Sequence, residues 1–455
     1  MDEKKKSDFT RRDFIGAATV AGAGVLLASC GTKTKTYPTM TFVEKAPDGA
    51  PLKAGLVGCG GRGTGAAVNF LNAGPNLKIT ALADVFDDHM KSCREKLAQE
   101  AKVEVADDQC FIGFDAYKKL LDSDVDIVIL ATPPHFRPEH FNAAVDAKKH
   151  VFMEKPVAVD SPGLRAVLGA GEKAKQYNLS VVAGTQRRHQ PEYVETQSRV
   201  ANGAIGKVLA MRGYWNNPAL WRRERQKGWS DMEAMLRDWP NWCWLSGDHI
   251  VEQHVHNLDV IAWFSGQYPV KAVGIGGRHR RVTGDQFDTF AVDFALAHGT
   301  HALSMCRQID GCQNNVSEFI VGSEGLTNCR NTIYDLNGNA VWKHGITNPE
   351  ELKKITLDMA AADEKYKVNP YDQEHVDLVT AIRTGKPINE AEGVAKSTLM
   401  AIMGRMAAYT GAEVTWEQAM SSEERLGPTE YKMGPVALKA EIPVPGVAQK
   451  AAENA

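Results

Sequence analysis

The residues able to do chemistry gather at three places in this 455-residue chain. The first is Glu154-Lys155-Pro156, which closes the apolar run Val151–Met153. Such a run reads as a buried strand. Pro156 cannot donate to a strand ladder and holds Lys155 out of the αR region. Lys155 then stands at the carboxyl edge of an open α/β sheet, where such sheets bind ligands; the bland alternative is a solvated loop lysine. The second place is Gly58-Cys59-Gly60-Gly61-Arg62-Gly63, between an apolar run and a helical stretch. Gly58, Gly60 and Gly63 permit a tight turn and close approach of backbone to a pyrophosphate at a helix N-terminus. Asp84 ends the next strand 21 residues past Gly63. A carboxylate there can bind a ribose 2′-hydroxyl and would repel a 2′-phosphate, which favours NAD over NADP without excluding NADP. Arg62 could pair with a phosphate of either.

The third place is Ser246-Gly247-Asp248-His249-Ile250-Val251-Glu252-Gln253-His254-Val255-His256-Asn257-Leu258-Asp259. Asp248 suits an N-cap. Spacings of three and four put His249, Glu252, His256 and Asp259 on one helical stripe, beside the apolar stripe Val251, Val255 and Leu258. Three chemistries stay open. As an acid–base pair, His256 takes or returns a hydroxyl proton while Glu252 orients it. As a metal site, Glu-x-His-x-His offers enough ligands, but alternate positions on one helix diverge, so no metal is expected. As plain structure it is a capped helix with surface histidines.

Lesser candidates surround these. Thr132-Pro133-Pro134-His135 follows another apolar run, and its prolines stiffen the loop. Thr132, Pro133 and His135 are possible cofactor contacts there, as are Gly61, Glu154 and Lys155; a structural turn is the alternative. Arg137 and His140 read as surface residues. Thr185–His189 falls where two lobes should meet, with Arg188 and His189 as cleft-lining candidates. Six tryptophans lie between Tyr214 and Trp244. Aromatic faces suit a sugar's C–H face or, equally, core and interface packing; Trp215 is the substrate candidate. Arg222, Arg223 and Arg225 read as a solvated charged face.

The elements that must position these residues follow from periodicity. Strand-like Leu52–Gly58, Leu77–Ala83, Val125–Ala131, Val151–Met153 and Leu179–Ala183 alternate with helical Thr64–Ala73, Asp88–Lys102, Asp115–Asp122, Pro138–Lys148 and Ser161–Tyr177. That alternation predicts βαβ units and a doubly wound parallel sheet over residues 52–184. Beyond it, strand-like Lys207–Tyr214, Val270–Ile275, Thr289–Leu296, His301–Cys306 and Val316–Val321 follow one another. Helical patterns cover His249–Phe264, Asp372–Thr384 and Ala391–Tyr409. An α+β domain with an open, mostly antiparallel sheet is expected over 185–426, then an extended tail over 427–455.

With 43% hydrophobic and 24% charged residues the composition is that of a globular protein. A net charge of −3 with mixed signs argues against nucleic acid or an anionic membrane surface as partner. Residues 1–30 read as a leader. Thr10-Arg11-Arg12-Asp13-Phe14-Ile15 resembles a twin-arginine export motif, Gly16–Ser29 is too short to span a bilayer, and Leu27-Ala28-Ser29-Cys30 resembles a lipobox. Cys30 is then the lipidated N-terminus of a protein anchored on the periplasmic face, and residues 31–51 are its linker. The other seven cysteines are an odd number without a C-x-x-C pair and read as core residues.

GCGGRG, ATPPH and HVFMEKP, at these spacings, resemble the glucose–fructose oxidoreductase and inositol dehydrogenase family (Gfo/Idh/MocA). The likeness extends to Ala381–Pro387 and Thr410-Gly411. The resemblance implies a Rossmann domain, a second domain whose open sheet supports the substrate site and often an oligomer interface, and carbohydrate as the usual substrate. It implies that Lys155 is the active-site lysine beside nicotinamide and a substrate hydroxyl. It places His256 at the family's catalytic histidine and Glu252, a longer arm, where the family has Asp; His254 falls where a small residue is usual and is a substrate candidate that would extend the site.

The reading is reversible hydride transfer between a sugar or glycoside hydroxyl carbon and NAD. Export adds that the cofactor is loaded before transport, tightly retained and regenerated on the enzyme. Two alternatives stand beside it. One is an NAD-dependent glycoside hydrolase working by oxidation, elimination, hydration and reduction. The other is a non-catalytic, lipid-anchored sugar-binding protein. The retained Glu-Lys-Pro tips the balance to the oxidoreductase.

Overall fold

Short apolar runs, most of them buried on both faces, build the first sheet. They form β1 (Leu52–Val57), β2 (Leu77–Asp84), β3 (Cys110–Ile112), β4 (Ile127–Leu130), β5 (His150–Met153) and β6 (Val181–Ala183). The computed structural model describes residues 37, 40, 42–357, 368–438 and 441–447. The leader, with Arg11, Arg12 and Cys30, lies outside the described residues, as does much of the linker.

The six strands are all parallel in the order β3-β2-β1-β4-β5-β6. The order reverses between β1 and β4, and a crevice opens at the carboxyl ends of those two strands. Helices α1 (Gly61–Asn72), α2 (Asp87–Lys96), α3 (Ala116–Leu121), α4 (Arg137–Asp146) and α5 (Ser161–Gln176) supply the crossovers. This is the doubly wound sheet expected from the alternation. Strand β3 escaped the sequence pattern because it is a three-residue edge strand, only half-buried.

The second sheet has nine strands. After α6 (Pro191–Ala201) come β7 (Val208–Asn217), α7 (Asp231–Arg237), α8 (Cys243–Ser246), α9 (His249–Glu252) and α10 (Val255–Ser265). Strands β8 (Lys271–Gly277), β9 (Thr289–Ala295), β10 (His301–Gln308), β11 (Asn315–Gly322), β12 (Leu326–Thr327), β13 (Thr332–Tyr334) and β14 (Ala340–Lys343) follow, then α11 (Pro349–Leu352), α12 (Pro370–Thr384), α13 (Ala391–Thr410), β15 (Val414–Thr415) and α14 (Trp416–Ser421). The order is β14-β13-β12-β11-β7-β10-β9-β8-β15, antiparallel except for β7 beside β10. Alternation along β10 turns Ala302, Ser304 and Cys306 inward and Leu303 and Met305 outward, as a sheet covered on one face requires. Among the described residues no helix is long and apolar enough to cross a membrane.

Two departures from the sequence pattern matter. Helix α12, late in the chain, returns to the first sheet, where Leu378 and Val379 share a core with Leu56, Phe70 and Ile129. The expected single helix His249–Phe264 is broken at Gln253-His254 into α9 and α10. At the break the His254 N–H reaches back five residues to the His249 carbonyl, and the buried His254 imidazole bonds Ser304 Oγ on β10 at 2.7 Å. A wide turn of this kind resets the phase of the helix, so His249, Glu252, His256 and Asp259 do not form one stripe.

Candidate active site

Strand β1 delivers the chain into Gly58, whose φ of +98° favours glycine and whose added Cβ would stand 2.8 Å from the backbone of Ala131 and Thr132. A Cβ on Gly63 would lie 1.8 Å from the Gly58 carbonyl. At Gly60 and Gly61 an added Cβ would meet nothing within 4 Å. The first turn of α1 has no side-chain cap and no acidic residue, which leaves its N–H groups for an anion. The Asp84 carboxylate accepts from Cys59 N–H at 2.6 Å and Phe86 N–H at 2.8 Å. Gly58, Gly60, Asp84, Thr132 and Pro133 line the crevice together. Cradle, open N–H groups and the Asp84 carboxylate at the strand end fit a dinucleotide.

Other predicted cofactor contacts are held elsewhere. Arg62 donates to Glu154 through Nε and to Asn69 at 3.2 Å, and its guanidinium lies 4.9 Å from the Tyr371 ring centroid. Arg62 and Glu154 are therefore partners of each other, where phosphate and cofactor contacts were expected. His135 is 2.7 Å from the Tyr431 hydroxyl and edge-on to Trp244, so it serves the C-terminal tail rather than the crevice. Arg137 and His140, read from sequence as surface residues, are buried. Arg137 clasps the carbonyls of Thr132 and Pro156, tying the ends of β4 and β5 together. His140 lines the crevice 3.3 Å from Thr132 Oγ1.

At the end of β5, Lys155 crosses to the broken helix. Its ammonium donates to Glu252 Oε1 at 3.0 Å and to the Glu252 carbonyl. Both side chains are about nine-tenths buried, at 11% and 9% exposure. Glu252 thus orients Lys155, not His256 as the acid–base reading from sequence supposed. One turn on, His256 is stacked on Trp215, with ring centroids 5.8 Å apart and planes 25° apart. Among the described residues its imidazole has no hydrogen-bond partner. Burial first, then the positive charges of Lys155 and Arg187, push the His256 pKa well below the ordinary value. It is a neutral imidazole beside an ammonium.

Asp248 sets this arrangement from behind. Its φ of +73° and ψ of 163° cost a non-glycine residue roughly 1–3 kcal/mol. Four donors hold it there: His249 N–H, His249 Nδ1 at 2.9 Å, Phe287 N–H at 3.0 Å and the Tyr409 hydroxyl.

The remaining substrate candidates divide. Trp215 stacks with His256, whereas Arg188 forms a bidentate pair with Asp259 at 2.8 and 2.9 Å. His189 is buried between Asp377 at 2.6 Å and Glu390 at 3.2 Å. Burial opposes its charge, but Glu390 and Asp377 hold its pKa well above the ordinary value. His254 is committed to Ser304, and burial lowers its pKa to about 3. Among the described residues no three His, Cys, Asp or Glu side chains converge on a metal position. The residue missed was Arg187. It pairs with the buried Glu318 and lies 6.0 Å from the Trp215 ring centroid. The turn Gln186–His189 points successive side chains in different directions, which the run of basic residues could not reveal.

Residues 52–182 match a family model described as an oxidoreductase family with an NAD-binding Rossmann fold, and residues 193–327 match the GFO/IDH/MocA C-terminal domain. The chain is similar to an inositol 2-dehydrogenase of Salmonella typhimurium, 29% identical over 36% of this chain and 45% of that protein. It is also similar to the 2,7-anhydro-N-acetylneuraminate hydratase of Escherichia coli, 28% identical over 50% of this chain and 53% of that protein. In both alignments the chain spans about half of the relative's length. The fold is shared with the scyllo-inositol dehydrogenase of Lactobacillus casei, whose crystal structure holds NAD(H) and scyllo-inositol. That match has a TM-score of 0.58 at 21% identity and covers 81% of this chain and 99% of that one.

Proposed function

The chain belongs to the Gfo/Idh/MocA oxidoreductase family, with an NAD-binding Rossmann domain, and from that premise we propose that it interconverts a sugar or glycoside alcohol and its ketone or lactone. The observation that carries the reading is the Lys155–Glu252 pair beside the His256 imidazole, which has no hydrogen-bond partner among the described residues, and the Trp215 face. Bound NAD supplies the hydride acceptor or donor. Neutral His256 takes the hydroxyl proton in oxidation and returns it in reduction. Lys155 donates to the same oxygen and stabilises alkoxide character, and Glu252 fixes the ammonium for that task. Trp215 offers an apolar face to the C–H side of a pyranose.

We further propose export by the twin-arginine route, lipid anchoring at Cys30, tight retention of NAD and homo-oligomerisation through the open sheet face. The leader motifs support the first two. The third follows from export, since a periplasm is not expected to supply free NAD, and exposed Val273, Ile275, Leu303 and Met305 support the fourth.

A second reading is favoured by the likeness to a hydratase: transient oxidation that permits elimination and hydration, with no net redox change. The test is to incubate the purified protein with free sugars and glycosides while following the near-ultraviolet absorbance of reduced nicotinamide and the products. Lasting reduction by a sugar supports the dehydrogenase. Cleavage or hydration without net reduction supports the second reading. A protein that binds sugar but alters none of them is a binding protein, and both enzyme readings fall.

A further inference from the structure

The crevice is not walled by the Rossmann lobe alone. Leu236 in α7 and Trp239 in the turn after it line it together with Asp84 and Phe86. This wall is stapled to the Rossmann lobe by Arg237, whose guanidinium lies 3.9 Å from the Phe86 ring centroid and bonds both oxygens of Asp88 at 2.9 and 3.1 Å.

The C-terminal tail runs across both sides of the joint. Leu426 N–H donates to Asp160 at 3.0 Å. At Gly427, with φ +94°, a Cβ would come within 2.7 Å of Trp244 and 2.9 Å of His135, so the chain lies flat on both rings. Tyr431 bonds His135 and stacks on Phe114, centroids 6.1 Å apart. Phe114 itself lines the crevice. The Gly434 carbonyl accepts from Met232 N–H at 3.1 Å, and Val436 N–H donates to Asp231 at 3.3 Å. Residues 426–438 therefore grip the Rossmann lobe at one end and the N-terminus of α7 at the other.

The geometry points to a second half of the NAD site: Leu236 and Trp239 cover the adenosine moiety, and the strap 426–438 holds that cover shut, so that NAD leaves only when the strap detaches. An apolar and aromatic cover suits a purine face, while Asp84 beneath it suits the ribose. A ligand enclosed by two lobes departs at the rate at which the enclosure opens. This deepens the retention part of the preceding reading and rests on it only for NAD as ligand; it does not depend on which sugar, if any, is oxidised.

The test is the rate of NADH release from the full chain, followed by loss of its fluorescence after mixing with excess NAD. Tyr431→Ala and, separately, Trp239→Ala are expected to speed release about tenfold or more, with the association rate little changed. Tyr431→Phe, which keeps the stack on Phe114 and loses only the bond to His135, falls between Tyr431→Ala and wild type. Should Tyr431→Ala fail to fold, Trp239→Ala and Tyr431→Phe decide. Wild-type release rates in the folded variants overturn the cover and strap while leaving the sugar reading intact. A wild-type chain that binds no NADH overturns this proposal and the retention reading together. Reduction by no sugar, with release accelerated in the variants, removes the substrate reading alone.

Discussion

Two ion pairs reach the broken helix from the residues that follow the carboxyl ends of β5 and β6, and they differ in what they leave unused. Arg188 meets Asp259 with two parallel bonds, Ser397 Oγ takes a further position on that carboxylate at 2.7 Å, and Trp263 lies 5.1 Å from the guanidinium. Lys155 meets Glu252 with two of its three donors, and beside it stands the His256 imidazole, which has no hydrogen-bond partner among the described residues. Charge and burial alone do not separate the two pairs. Residual capacity does: a saturated pair holds elements together, whereas an ammonium with a donor to spare beside a free base can hold a substrate oxygen.

Mutation separates the two pairs. The largest effect is expected for His256→Ala. Loss of the general base lowers the oxidation rate about 10²–10⁴-fold, with melting temperature and nucleotide content unchanged. Lys155→Ala comes next, losing one preorganised donor and about 10²–10³-fold in kcat; nucleotide extracted from the purified variant stays at the wild-type level. Arg188→Met inverts the pattern. It strands the buried Asp259 charge and costs roughly 3–5 kcal/mol of stability, read by denaturant unfolding, while turnover below the melting range changes only a few-fold. An Arg188→Met variant that loses turnover as Lys155→Ala does, with its stability intact, would erase the distinction.

A smaller effect follows from the low pKa of His256. The imidazole is a competent base wherever it is neutral, so oxidation should stay level as pH falls past the ordinary histidine value of about 6.5 and decline only below it. A pH–rate profile for kcat/KM whose acid limb sits at or above that value would assign the base to another group.

How much of this was legible beforehand depends on distance along the chain. The cradle Gly58–Gly63 and Asp84 are fixed by local order, strand then turn then helix, and that order is written in adjacent residues. Lys155 was legible because a strand end announces itself by where the apolar run stops. The partner of Glu252 was not, since at the break Gln253-His254 the buried His254 is held by Ser304, some 50 residues away, and no periodicity encodes that contact. Arg187 and Arg188 are adjacent and alike; only the turn that carries them decides which faces Trp215. Leu236, Trp239 and Tyr431 are ordinary core-type residues until the tail folds back across them.

His189 gives the finest test of which charges are structural. Its pKa is raised in the folded chain, because Glu390 and Asp377 favour the imidazolium more than burial disfavours it. A raised pKa stabilises fully below the unfolded value of about 6.5, and the contribution is lost as pH rises through the higher folded value. The stability gap between wild type and His189→Gln should therefore be widest near about pH 6 and shrink toward about pH 9. Turnover should follow stability and nothing else, because the ring lies among Asp377 and Glu390 and not beside Lys155. A gap that stays constant over that range would mean the imidazole is neutral throughout and holds α12 by hydrogen bonding alone. A gap that closes while the His256-dependent rate profile stays put would separate the proton that stabilises this protein from the proton that its chemistry moves.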